Sequence, residues 1–246
     1  MIPLRITINL SGPIYLPYGK PYEYMIFDSF IAGLIAKKKG FKKETLSAET
    51  VDAIEAELDT LLKKITFSDD FYYAASAIYV RPSRKMFHKV PWTKASWIEH
   101  AYPFCPSKIG IINRASGPNR LEQGEYTALV TPQAYFWCVG DPDKISEYLD
   151  VLHFTGLGAR HAAGGGPVLS YYIEQSDNDY SVIDWNSFPA RSIPVEADYN
   201  GVPCAVRYAT YRIPYWDKTK EKLCYMPRFR FGENVIDFQP KVAGLR

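Results

Sequence analysis

Several things are scarce in this sequence, and each scarcity removes a class of function. No run of about 18 apolar residues occurs in the 246 residues, so no membrane-spanning helix is expected. The first residues read as a strand and lack the charged, apolar and cleavage regions of a secretory signal, so the expected location is cytoplasmic. Cysteine is sparse. Cys105, Cys138, Cys204 and Cys224 are scattered and form no C-x-x-C pair, which predicts a reduced protein without structural zinc. The four histidines (His88, His100, His153, His161) include no H-E-x-x-H, so neither a metal nor another cofactor is expected. Net charge is only +2, so the whole-chain balance names no partner.

What the chain does have is an unusual concentration of glycine. Gly156 to Gly166 reads GLGARHAAGGG, with five glycines in eleven residues, Arg160 and His161 at its centre and Pro167 behind it. A helical pattern precedes it and a strand pattern follows. Without Cβ atoms the backbone can adopt positive φ and admit a ligand close to its N–H groups. Arg160 adds a planar fork of donors suited to phosphate. Two familiar phosphate loops do not fit. A P-loop needs a lysine followed by serine or threonine after its last glycine, where Pro167 and Val168 stand here. The dinucleotide fingerprint needs glycine at His161 and a strand before the loop. Gly156, Gly158, Arg160, His161, Gly164, Gly165 and Gly166 are therefore candidate ligand contacts, with a flexible connector as the bland alternative.

A second anomaly is local charge. Between Arg81 and Gly124 stand Arg81, Arg84, Lys85, Lys89, Lys94, Lys108, Arg114 and Arg120, opposed only by Glu99 and Glu122. Eight against two is a net +6, which leaves −4 on the rest of the chain. Five prolines break the segment, and Phe87, Trp92, Trp97, Tyr102 and Phe104 alternate with the cations. A long aperiodic stretch inside a domain has a job or a hairpin of its own. Cations that track phosphates, mixed with rings that stack on bases, suit single-stranded nucleic acid. An insertion packed on a partner protein is the competing reading.

The rest of the chain alternates between strand and helix periods. Pro3–Leu10 places Leu4, Ile6, Ile8 and Leu10 on one face of a half-buried strand. Ser11 to Pro21 is a turn-rich loop in which Tyr18 and Lys20 add aromatic and basic character. Tyr24–Lys39 is helical, with Gly40 as its stop. Ser47–Ile65 is a second helix capped by Ser47. Phe71–Val80 is a strand. Glu125–Val139 is a strand interrupted at Pro132. Asp143–Phe154 is a helix capped by Asp141, and Val168–Glu174 is a strand. Ser176–Asn186 reads as a polar linker. Beyond Arg191 the chain is proline-dotted, with Cys204–Ile213 and Leu223–Met226 as hairpin strands. The expected fold is α+β, a ferredoxin-like (RRM-like) β-α-β-β-α-β domain over 1–174 with residues 81–124 inserted, followed by a β-rich extension over 175–246.

These features carry a family likeness. PLRITINL followed by a proline-rich turn and a helix, FYYAASAIYV before the insertion, FTGLGARHAAGGGPV and PARSIPV together resemble the RAMP superfamily of CRISPR-associated RNA-binding proteins. Within it the chain is most similar to the fifth-group Cas subunit of type IV effector complexes. Arg160-His161 and the triple glycine depart from the single spaced glycines usual in that loop. The resemblance implies a non-catalytic role: holding the 5′ handle of the CRISPR RNA (crRNA) and capping the backbone, with residues 81–124 as a thumb. Its partners would be crRNA, backbone subunits and the large subunit, with target DNA as a further candidate. RNA contacts would come from the glycine loop, from the insertion's cations with Trp92 and Trp97, and from Tyr18 and Lys20.

Two readings from other classes stay open. Relatives on this fold cleave precursor RNA without a metal, which needs a base, an acid and a group to stabilise the developing charge. His161 or His153, with Arg160, Lys20 or a tyrosine, could supply them, although His153 sits among apolar neighbours that suit a core histidine. A protein-only scaffold is the third reading.

Overall fold

Nine residues at the start of the chain, Ile2–Leu10, form the strand on which the molecule is built (β1). The computed structural model describes residues 1–15, 25–41, 47–80, 87–94, 122–152, 156–158, 165–215 and 217–227, with backbone alone for 87–94 and 122–127. Leu4, Ile6, Ile8 and Leu10 are all buried, as their alternation predicts. On one side β1 pairs antiparallel with Gln133–Gly140 (β8) and on the other with Val168–Gln175 (β9). The two-residue strand Tyr79–Val80 (β5) lies outside β8, which gives a four-stranded sheet of order β5-β8-β1-β9.

Among the described residues three helices cover one face of this sheet. Phe27–Lys38 (α1) ends where Gly40 adopts φ +72 and returns its N–H to the Lys37 carbonyl, the glycine stop read from the sequence. Ala48–Leu61 (α2) starts at Ser47, whose Oγ accepts from the Thr50 N–H. Pro142–Leu149 (α3) starts at Asp141, whose carboxylate accepts from the Asp143 and Lys144 N–H groups. Ile31, Leu34, Ile35, Leu58, Leu61, Ile145 and Leu149 seal against Ile6, Ile8 and Phe136. Each such side chain taken from water contributes about 1.5–3 kcal/mol.

Several elements differ from expectation. The second helix stops at Leu61. Ile65 belongs instead to a hairpin, Lys64–Phe67 (β3) against Asp70–Tyr73 (β4), turned through Ser68 at φ 48. Leu61, Leu62 and Ile65 fit either period, and pairing with Tyr72 decides it. The FYYAASAIYV run is not one strand. After β4 the chain continues by single bridges, Ala75 to Cys138 and Ala77 to Ile26, before β5. The small residues Ala74–Ala77 let the start of α1 and Ala190 approach, with Phe27 N–H on the Ser76 carbonyl and Ala77 N–H on the Ala190 carbonyl. The Glu125–Val139 run is two strands in two sheets. Glu122–Leu129 (β7) pairs with Phe87–Lys94 (β6) and with Ile14–Tyr15 (β2), and the chain turns at Val130–Pro132 into β8. The insertion thus has a hairpin at its base.

The stretch 176–186 is packed rather than a linker. Tyr180 and Trp185 join Tyr79 and Trp137 in a ring cluster with centroid separations of 5.0–6.3 Å on the sheet face away from the helices. Beyond it, Ile193–Pro194 (β10), Val206–Thr210 (β11) and Glu221–Tyr225 (β12) form a three-stranded sheet of order β10-β12-β11. The expected hairpin of this region is β11 with β12.

A buried charge ties this region to the helices. Arg191 and Asp28 are both fully buried. Arg191 Nη1 lies 3.2 Å from Asp28 Oδ2, and the guanidinium also donates to the Tyr73 and Tyr211 carbonyls and, at 3.0 Å, to Tyr215 Oη. Tyr215 in turn donates to Asp28 Oδ1 at 2.7 Å. Burial works against the guanidinium's charge, but Asp28 and Tyr215 outweigh it and hold the Arg191 pKa above the usual arginine range.

Candidate nucleic-acid interface

The glycine loop is visible at its two ends, Gly156–Gly158 and Gly165–Gly166, and these ends form a closed neck. The Leu157 N–H donates to the Gly166 carbonyl at 2.7 Å, and the Gly166 N–H donates to the Pro13 carbonyl at 2.7 Å. Gly156, Gly158 and Gly166 have φ of 67, 95 and 58, so three of the four described glycines take the positive-φ backbone that the composition suggested. At Gly166 a Cβ would fall 1.8 Å from the Leu157 carbonyl oxygen. At Gly158 it would fall 2.6 Å from Ile14 Cγ2 and 3.0 Å from the Tyr15 carbonyl. Leu157, between them, is fully buried. These two glycines are therefore needed for packing, and the Gly166 N–H is already engaged.

The neck leans on β2, and β2 is also the inner partner of the insertion hairpin. Ile14 pairs with Leu129 and Tyr15 with Ala128. The glycine-loop neck, the turn at Pro13 and the base of the hairpin thus meet at one corner. The hairpin register sets Lys89 opposite Thr127, Trp92 opposite Gly124 and Lys94 opposite Glu122. Of the other candidates, Arg160, His161, Gly164, Arg81, Arg84, Lys85, Trp97, Lys108, Arg114, Arg120, Tyr18, Lys20 and His153 lie outside the described residues.

Sequence reasoning passed over the sheet face beside this corner. Asn9, Gln133 and Ser170 occupy one row across β1, β8 and β9, and Thr7, Tyr135 and Tyr172 the next. Each strand's polar positions are visible by alternation, but only the register shows that they align. Among the described residues no group of His, Cys, Asp and Glu could hold a metal ion. No described helix is long and apolar enough to cross a membrane.

No curated protein matches the chain. Similar solved structures include the Csm3-Csm4 subcomplex in the type III-A CRISPR-Cas interference complex, at 10% identity, covering 92% of this chain and 91% of that chain with a TM-score of 0.39. The family model described as CRISPR type IV associated protein Csf3 matches residues 94–227. That match takes in the hairpin strand β7, the glycine loop and the Arg191 region, more than half of the chain, and the chain belongs to the CRISPR type IV associated Csf3 family.

Proposed function

We propose that this chain is a non-catalytic RNA-binding subunit of a type IV CRISPR ribonucleoprotein effector, one that holds the 5′ handle of crRNA and caps the backbone. The observation that carries this reading is the shared corner. Ile14 touches the glycine neck on one side and pairs with the hairpin strand on the other, so the ends of the loop and the base of the arm are held at one point. A strand of RNA can lie between a backbone-rich loop and a basic, aromatic arm without any chemistry being done on it. The antiparallel order β5-β8-β1-β9 with helices on one face supports the ferredoxin-like reading of the central unit. Backbone and large subunits are the expected protein partners, with target DNA nearby.

The test is binding of purified protein to single-stranded RNA carrying the repeat-derived 5′ handle, measured across salt concentrations with EDTA present. Affinity should fall as salt rises, by roughly 0.7 per phosphate contact on a log–log plot, and the RNA should come through intact. A single site-specific cut overturns the non-catalytic role in favour of a metal-independent endoribonuclease. Absence of RNA binding favours a protein-only scaffold.

A further inference from the structure

Resting on the RNA-binding reading above, we propose that the helix-free face of the central sheet is a base-contacting platform, with Tyr172 as its stacking residue. The polar row Gln133–Asn9–Ser170 is the platform's hydrogen-bonding edge.

Four side chains on three strands form one directed chain. Tyr135 Oη donates to Gln133 Oε1 at 2.5 Å, Gln133 Nε2 donates to Asn9 Oδ1 at 2.9 Å, and Asn9 Nδ2 donates to Ser170 Oγ at 2.8 Å. These bonds fix the amide orientations and leave the Ser170 hydroxyl proton as a donor at the end of the row. Beside Ser170, Tyr172 is 56% exposed, although it lies on a strand whose register seats it against Thr7. Leu169, 62% exposed, stands next to Ser170 on the same strand, at the irregularity between Asn9 and Leu10.

Position commits this face to RNA. The row lies at the end of the sheet where the two candidate grips leave it. β9 begins directly after the glycine neck, where the Ser11 N–H meets the Pro167 carbonyl. β8 begins directly after the hairpin strand β7, where the Leu10 N–H meets the Pro132 carbonyl. At the far end the face is closed by Trp185 and Tyr180 over Trp137, and the Arg5–Glu174 pair at 2.6 Å neutralises itself. Among the described residues the open part carries no net charge, so what they offer suits bases: a ring to stack on and fixed polar groups for their edges. A strand held by its backbone at the corner would lay its bases across this row.

The experiment compares wild type, Tyr172→Ala and Tyr172→Phe for binding a fluorescein-labelled single-stranded RNA, with 4-thiouridine crosslinking and peptide mapping in parallel. Tyr172→Ala should weaken binding about tenfold, within the range of a lost stack. Its salt slope should match wild type, because no phosphate contact is removed, and Tyr172→Phe should restore affinity. Crosslinks should map to the Val168–Gln175 peptide. If wild type binds RNA and Tyr172→Ala binds equally well, without crosslinks in that peptide, the platform is wrong while the RNA-binding reading stands. If Tyr172→Ala keeps its RNA affinity but fails to assemble with a neighbouring subunit, the face is a protein interface and the platform is equally wrong. Wild type that binds no RNA at all sinks both.

Discussion

The two attachments made by α1 are held by different physics. On its sheet side, α1 is sealed by many interchangeable apolar contacts: Phe27 and Phe30 pack on Phe136 at 5.2 and 5.8 Å, among Ile31, Ile35 and Leu58. At its N-terminal end it is held by one guanidinium, Arg191, which is shared between Asp28 and carbonyls from β4 and the segment after β11. The first attachment spreads its stability over many residues, so no single one dominates. The second concentrates it, because any partner removed leaves a buried charge uncompensated.

Arg191→Ala breaks this comparison most sharply. It should cost about 3–5 kcal/mol, the range for breaking a buried pair. Leu58→Ala in the apolar seal should cost about 2–5 kcal/mol. Urea denaturation followed by circular dichroism measures both. The distinguishing result is the paired change: Asp28→Asn combined with Arg191→Met should recover part of the loss, because no lone charge remains. A double variant as unstable as the sum of its parts would show that Arg191 acts through packing alone.

Gly166→Ala tests whether the glycine neck belongs with the concentrated type of attachment. The left-handed backbone alone costs about 1–3 kcal/mol for alanine, and the contact with the Leu157 carbonyl adds to it. A lowered melting temperature, with the hairpin strand and β1 losing hydrogen-exchange protection together, is the expected outcome. An unchanged melting temperature would mean that the neck yields freely.

The smallest effect depends on pH. Asp70 receives the Tyr211 hydroxyl and the Phe71 N–H and lies 3.1 Å from Arg212 Nε and 3.4 Å from Lys222 Nζ. Burial raises its pKa, but these partners outweigh burial and hold the carboxyl below the usual range. Its folded pKa is thus below the unfolded value of about 3.9. The stability it contributes is fully present above that value and lost as pH falls through the depressed one. Wild type should be more stable than Asp70→Asn at pH 6, and the gap in melting temperature should close as pH approaches 2.5. A gap that persists unchanged would assign the effect to the hydrogen bonds alone.

The same contrast explains what the sequence discloses. The apolar attachment was legible because it is periodic. The alternation of Leu4, Ile6 and Ile8, the stripe Ile54, Leu58, Leu61, the caps Ser47 and Asp141, and the stop at Gly40 all stand where local rules place them. The β3–β4 hairpin was not legible, because Ile65 satisfies the helical period and only Tyr72 across the turn decides otherwise. The packing of 176–186 was hidden by its acidic surroundings, since Tyr180 and Trp185 both pack on Trp137, far back in the sequence. Arg191 stands in PARSIPV, and nothing adjacent in sequence marks it as buried. At the candidate interface the glycine loop and the insertion were conspicuous by composition. That they share Ile14 as a common support, and that Asn9, Gln133 and Ser170 align, depends on strand register, which no local pattern records.

The pairing of β1 has a consequence in time. This strand is synthesised well before its partners, which begin at Gln133 and Val168, and before Arg191, the cation that locks the adjoining helix. At roughly 5–20 residues per second, those partners follow the strand out of the ribosome by about 6–30 s. During that interval Leu4, Ile6, Ile8 and Leu10 form an apolar strand with two open edges. Shortening the chain before Arg191 should turn this transient exposure into a permanent one.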